Sequence, residues 1–138
     1  MRPSAETLAR ILAEGFPLAD CTVYRIDAAS PERVVVLRTI APVDLRPGHI
    51  VSGPVLMDLA DMIAWLHAMA RHGESARASV TTDCTMHFLA PARGDVRATC
   101  THDAESKGRA RFTVRLTTDD GDVALAHVGY AIRHEASG

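Results

Sequence analysis

Residues 54–72 carry apolar side chains on nearly every face of a would-be helix, and such a helix can settle only inside a fold. Val55, Leu56, Leu59, Met62, Ile63, Leu66 and Met69 recur at helical spacing, alanines fill most of the positions between, and Met57 and Trp65 add apolar surface. Pro54 suits the first turn, where its missing N–H would be unpaired anyway, and Gly73 ends the pattern. The chain never runs for ~18 consecutive apolar residues, so the expected surroundings are protein and not a bilayer.

Strand signals supply those surroundings. Val80, Thr82, Cys84, Met86 and Phe88 alternate with Thr81, Asp83, Thr85 and His87, which predicts a strand with the first set on the core face. Pro91 and Gly94 mark a turn before Asp95–His102, and Lys107-Gly108 marks the next. Ala110, Phe112, Val114 and Leu116 alternate with Arg111, Thr113 and Arg115, and Asp120-Gly121 is a hairpin signal leading into Val123–Ile132. Upstream, Cys21–Ile26 and Arg33–Ile40 read as extended runs joined by a turn at Ser30-Pro31, and Pro42–Gly53 reads as irregular. A further helix is expected over about 4–15, with Ser4 as its N-cap, Leu8, Ile11, Leu12 and Phe16 on one side, and Gly15 and Pro17 stopping it. The 138 residues fit one domain of α+β class, an antiparallel sheet wrapped around a long central helix with an additional N-terminal helix.

Charge and cysteine content narrow the function. Lys and Arg number 15 against 17 Asp and Glu, so the chain lacks the basic footprint of a nucleic-acid binder or a polybasic membrane anchor. Its three cysteines, Cys21, Cys84 and Cys100, have no C-x-x-C spacing, which argues against a disulfide framework or a zinc knuckle and for a reducing compartment. Residues 1–10 include Glu6 and lack a long apolar run, so no signal peptide is read there and a cytoplasmic location is expected. His67, His72, His87, His102, His127 and His134 fall on separate elements without ligand spacing, so no metal is expected. Cys84 alternates with Val80 and Met86 and reads as a small core residue, not a nucleophile.

The chemistry-bearing stretch is Ser52-Gly53-Pro54-Val55-Leu56-Met57-Asp58-Leu59-Ala60-Asp61. Unpaired N–H groups at a helix start can stabilise an oxyanion. Asp61 sits two turns further in, among Ala60, Met62 and Ile63, where a carboxylate can serve as a base. Asp58, one turn earlier, competes for that role, and spacing alone does not choose between them.

This segment and the strand order around it resemble the hotdog-fold acyl-CoA thioesterases of the phenylacetate-pathway, PaaI-like type. That family carries His-Gly-Gly, a short apolar stretch and Leu-Ala-Asp on its central helix, and Leu59-Ala60-Asp61 stands at the matching place. Val80-Thr81-Thr82-Asp83-Cys84-Thr85-Met86-His87-Phe88-Leu89-Ala90-Pro91-Ala92 resembles the family strand that ends in an aromatic and Pro-Ala, and Gly94 follows as in the family. The likeness runs from about Asp44 to Arg133. It implies a hotdog fold, hydrolysis of an acyl or aryl thioester of coenzyme A, and no cofactor beyond the coenzyme A of the substrate. It also implies Asp61 as base or nucleophile, the Gly53 N–H as oxyanion donor acting across a dimer interface, and Thr81 as the hydroxyl that orients water. Ser52 stands where the family has its histidine and Pro54 where it has its second glycine.

Ser52, Pro54 and His49 are therefore candidate substrate contacts, and Lys107 and Arg109, clustered with Arg111 at a turn, are candidate partners for coenzyme A phosphates. Arg71, His72 and Arg77 form a second basic group near the end of the central helix. A single wrapped sheet leaves an open edge, so a homodimer or homotetramer is expected. Two other readings stay open. One is a non-catalytic acyl-CoA-binding dimer that lost turnover with the histidine; the other is a hydratase or dehydratase using His49 with the carboxylate.

Overall fold

The computed structural model describes residues 2–17 and 19–136. Helix α1 (Ala5–Gly15) starts where Ser4 caps it, the serine Oγ accepting the Thr7 N–H at 3.2 Å, and it buries Leu8, Ile11 and Leu12. Strands β1 (Tyr24–Ala29) and β2 (Arg33–Arg38) follow. Cys21–Val23, expected as the start of an extended run, forms a 3-10 turn instead, because the Asp20 carboxylate accepts the Thr22 N–H at 3.1 Å and its hydroxyl. Pro42–Gly53, expected to be irregular, holds a 3-10 turn at Pro42–Asp44 and a two-residue ladder between β3 (Leu45–Arg46) and β4 (Ile50–Val51). Helix α2 (Gly53–His72) then runs to Gly73, whose φ of 93° suits glycine alone. The remainder is β5 (Val80–Phe88), β6 (Val96–Ser106), β7 (Arg109–Thr118) and β8 (Gly121–Ala131).

Six of these strands make one sheet in the order β1-β2-β6-β7-β8-β5, with every neighbouring pair antiparallel. The sheet curves around α2, which touches β2, β5, β6, β7 and β8. Leu59, Ile63, Leu66 and Met69 from α2 are fully buried against Val36, Phe112, Val114 and Leu116 from the strands. This is the α+β hotdog arrangement that the resemblance implies. No helix among the described residues is long and apolar enough to cross a membrane.

The two edges differ. β1 is covered by α1, whereas β5, among the described residues, pairs only with β8 and leaves its other edge open. That position explains a departure from the alternation read in the sequence: Cys84 and Met86 are half-buried, but Val80 and Phe88 are 49% and 55% exposed, with Leu89 just beyond at 57%.

One imidazole is built into the core. His67 is fully buried, its Nε2 2.9 Å from the Pro31 carbonyl and its Nδ1 3.3 Å from Cys100 Sγ. Arg71 Nη1 also donates to Pro31 O, at 2.8 Å, so α2 holds the β1–β2 loop by two side chains. Burial pushes His67 down to about 4 from its ordinary 6.5, so the unfolded chain takes up this proton more readily than the folded one. The resulting stability is fully present above pH 6.5 and is lost as pH falls to about 4. By linkage it amounts to about 3 kcal/mol. In denaturant titrations across that window, His67→Gln should lose less stability on acidification than the wild type; equal losses would show that this imidazole does not govern the slope.

Candidate functional site

Asp61 lies half-buried on α2 and receives two hydroxyls on a single oxygen. Thr81 Oγ1 donates to its Oδ1 at 2.6 Å and the Tyr130 O–H donates to the same atom at 2.7 Å. Thr81 reaches this position through an irregularity in β5. The register passes from Thr81↔Tyr130 directly to Asp83↔Gly129, so Thr82 is an extra residue and Thr81 turns to the helix side. Without the bulge Thr81 would share the outer face with Asp83, Thr85 and His87. An ion pair between Arg111 and Asp83, at 2.5 Å, passes over Gly129 on that outer face, where a Cβ would collide with both side chains.

A cavity of about 1080 Å³ opens beside Asp61. Polar side chains including Asp58, Asp61, Thr81 and Tyr130 line it together with apolar ones such as Ile11, Leu12, Phe16, Met62 and Trp65. The Phe16 and Trp65 rings meet edge to face at 5.7 Å, and the indole N–H donates to Arg77 O at 3.0 Å. Both carboxylates singled out in the sequence thus line one cavity, but differently. Asp58 is exposed and receives one hydroxyl, from Tyr24 at 2.9 Å. Burial, reinforced by Asp58, pushes Tyr24 up to about 12, and burial likewise raises Tyr130, so both phenols act as neutral donors.

Gly53 is placed elsewhere. Eight residues separate it from Asp61 on the same helix, ~12 Å of rise. It lines a different cavity, of about 480 Å³, with Leu56, Phe88 and Leu89. Its N–H belongs to the first turn, where intrahelical acceptors are missing, and its Cα faces the Phe88 ring, which an added Cβ would approach to 3.4 Å. Ser52 and Pro54 sit at this same helix end, and the Ser52 side chain makes no capping bond. The end is anchored by a largely buried ion pair. Arg38 reaches both oxygens of Asp44, at 2.9 and 3.1 Å, and the Asp44 carbonyl accepts the Ser52 N–H at 2.9 Å. Hydrogen bonds from Arg38 hold the Asp44 carboxyl below the usual carboxylate range.

The remaining candidates lie apart from Asp61. His49 occupies the turn between β3 and β4 with φ 57° and lines neither cavity. Lys107, φ 54°, is in the β6–β7 turn and Arg109 begins β7; neither lines either of these two cavities, although Arg109 pairs with Ala131, which in turn pairs with Val80. Of the second basic group, Arg77 borders the Asp61 cavity, tied to Glu135 at 2.9 Å, while His72 is paired with Glu105 at 2.8 Å. Cys84 is half-buried, and burial pushes its thiol up, in keeping with a packing role. Sequence reasoning missed Tyr24 and Tyr130. The available signal for Tyr130 was its place in the alternation Ala124, Ala126, Val128, Tyr130 on the inner face of β8.

Residues 48–126 match the family model described as the thioesterase superfamily. No curated protein sequence matches the chain. Among solved structures, zebra fish thioesterase superfamily member 2 aligns with a TM-score of 0.82 at 18% identity, over 95% of this chain and 99% of that one. A hypothetical thioesterase from Streptococcus pneumoniae, solved with coenzyme A, aligns at 0.77 and 17% identity over 91% and 99%. A Streptococcus mutans protein bound to acetyl CoA aligns at 0.73 and 14% identity over 83% and 91%. These likenesses establish the shared fold.

The anchor at the start of α2 is open to direct test. Asp44→Ala would strand the Arg38 guanidinium, whose side chain is only 11% exposed. A loss of about 3–5 kcal/mol in unfolding free energy is expected, whereas a loss under about 1 kcal/mol would place the pair among ordinary surface ion pairs.

Proposed function

The chain belongs to the thioesterase superfamily, and from that premise we propose that it hydrolyses an acyl or aryl thioester of coenzyme A in the PaaI-like manner. The observation that carries this reading is the Asp61 carboxylate, held by two hydroxyls at the wall of a cavity with room for an acyl group. Asp61 either takes a proton from water as that water attacks the thioester carbon, or attacks the carbon itself and is released by water afterwards. In both routes the C–S bond breaks and the thiolate leaves to take up a proton. A positioned base contributes roughly 10²–10⁴ in rate, and one oxyanion donor about 2.7–4 kcal/mol of barrier.

The oxyanion donor is the partner's Gly53. Asp61 and Thr81 meet near one end of β5, while Gly53 packs on Phe88 at the other. Within one chain these groups cannot converge. A second copy pairing antiparallel along the open edge of β5 reverses the strand and brings the partner's Gly53 toward Asp61. The coenzyme A and acetyl CoA held by the streptococcal structures support the same ligand class here, with Lys107 and Arg109 as contacts for its phosphates. Free Cys21, Cys84 and Cys100 suit a reducing, cytoplasmic setting. Ser52 at the family's histidine position favours a second reading, an acyl-CoA-binding dimer without turnover.

Thiol release over short, long and aryl acyl-CoA substrates separates the two. Turnover by the wild type that falls at least 10²-fold in Asp61→Asn is expected; ligand-induced thermal stabilisation with no thiol from either protein would favour the binder. The shared site has its own signature. Gly53→Pro removes the N–H while keeping a residue suited to the first helical position, and each single variant should be nearly inactive. Mixed and reassembled, Asp61→Asn and Gly53→Pro protomers should regain about a quarter of wild-type activity, because half of the dimers are mixed and each holds one intact site. Failure to recover any activity would place both groups in the same subunit's site.

A further inference from the structure

In the scheme above the two hydroxyls on Asp61 are taken together, yet Tyr130 is the more deeply buried of the two and also reaches the Asp61 main chain. We infer that Tyr130 is a positioning residue that locks the Asp61 carboxylate with Oδ1 engaged and Oδ2 left as the reactive oxygen; this rests on the thioesterase reading of the same site.

Three observations carry the inference. The Tyr130 O–H lies 2.7 Å from Asp61 Oδ1 and 3.0 Å from the Asp61 main-chain oxygen, so one phenol grips both the side chain and the backbone of the same residue. Thr81 donates to Oδ1 as well, and no hydrogen bond from the described residues reaches Oδ2. Turning the carboxylate plane away from this orientation would therefore break two charge-assisted hydrogen bonds at once. The third observation is rigidity. Tyr130 is 3% exposed, sits on β8 between Ala110 of β7 and Thr81 of β5, and meets the Phe112 ring edge to face at 6.5 Å. Thr81, by contrast, belongs to the edge strand and is its second residue. Tyr130 is thus the fixed reference and Thr81 the second support. Asp58 offers a contrast on the same helix: it is exposed and has a single phenol, Tyr24, so nothing comparable fixes its plane.

The test pairs a structural arm with a kinetic one. In a crystal structure of Tyr130→Phe, the Asp61 carboxylate should be rotated or split between orientations, whereas the wild type shows one. On any thioester the wild type hydrolyses, Tyr130→Phe should lower kcat about tenfold or more while KM stays within about twofold, the pattern of a lost transition-state geometry and not of lost binding. Thr81→Val should do the same to a smaller degree, Thr81→Ser should restore it, and the Tyr130→Phe/Thr81→Val pair should lose more than the product of the single losses, since each hydroxyl backs up the other. A raised KM with kcat preserved, or full kcat with Asp61 unmoved, overturns the inference. If the wild type releases no thiol from any thioester, it is the thioesterase reading that fails. The crystal structure then decides alone: a turned Asp61 sustains the lock, and an unmoved one overturns it.

Discussion

A helix with hardly any polar face has to be enclosed, and enclosing α2 determines most of this molecule. Leu59, Ala64, Ala68 and Met69 point to different sides of the helix and are all fully buried, so packing on one side only would leave part of the set in water. A curved sheet that touches α2 with five of its strands meets that demand. The polar groups that α2 carries inside must then find partners within the protein. His67 takes the Pro31 carbonyl, and Asp61 takes Thr81 and Tyr130. The candidate site therefore arises where a carboxylate on an enclosed helix is satisfied at one oxygen only.

How those partners reach Asp61 depends on the way β5 and β8 meet. The extra residue Thr82 turns Thr81 inward, and the outer side of the same irregularity is clasped by Arg111 and Asp83 across Gly129. The ion pair is exposed and adds little to stability by itself. Its position matters more than its strength, because it spans the strands on either side of β8 at the level where the bulge sets the direction of Thr81. Glycine at 129 is what leaves room for it.

Local pattern made the large elements legible in the sequence. The apolar periodicity of 54–72, the Ser4 cap, the Lys107-Gly108 turn and the Asp120-Gly121 hairpin each act over a few residues, and the structure has all of them. What stayed hidden involves residues distant in sequence or competition between local forces. Asp20 bonding to Thr22 overrides the extended tendency of Cys21–Val23. The Tyr130–Asp61 bond links residues 69 positions apart, and the Thr81–Asp61 bond depends on a bulge that alternation cannot reveal, since Thr81 reads as outward-facing in a regular strand. The separation of Gly53 from Asp61, by contrast, was already implicit in eight residues of helix rise.

That separation ties function to assembly. An open strand with Val80, Phe88 and Leu89 exposed is a surface a protein must cover or defend, because its unpaired N–H and C=O groups will accept any other strand. No charge blocks this edge at its ends, where apolar residues stand. The same strand has Thr81 and the Asp61 carboxylate near one end and Phe88 with Gly53 at the other. In the proposed antiparallel pair, each end of one β5 lies beside the opposite end of its partner, so covering the edge and joining carboxylate to oxyanion donor are a single event. The two-fold axis produces this twice, giving each dimer two equivalent sites. A monomer would hold both halves of the machinery on one helix, too far apart to act on the same thioester.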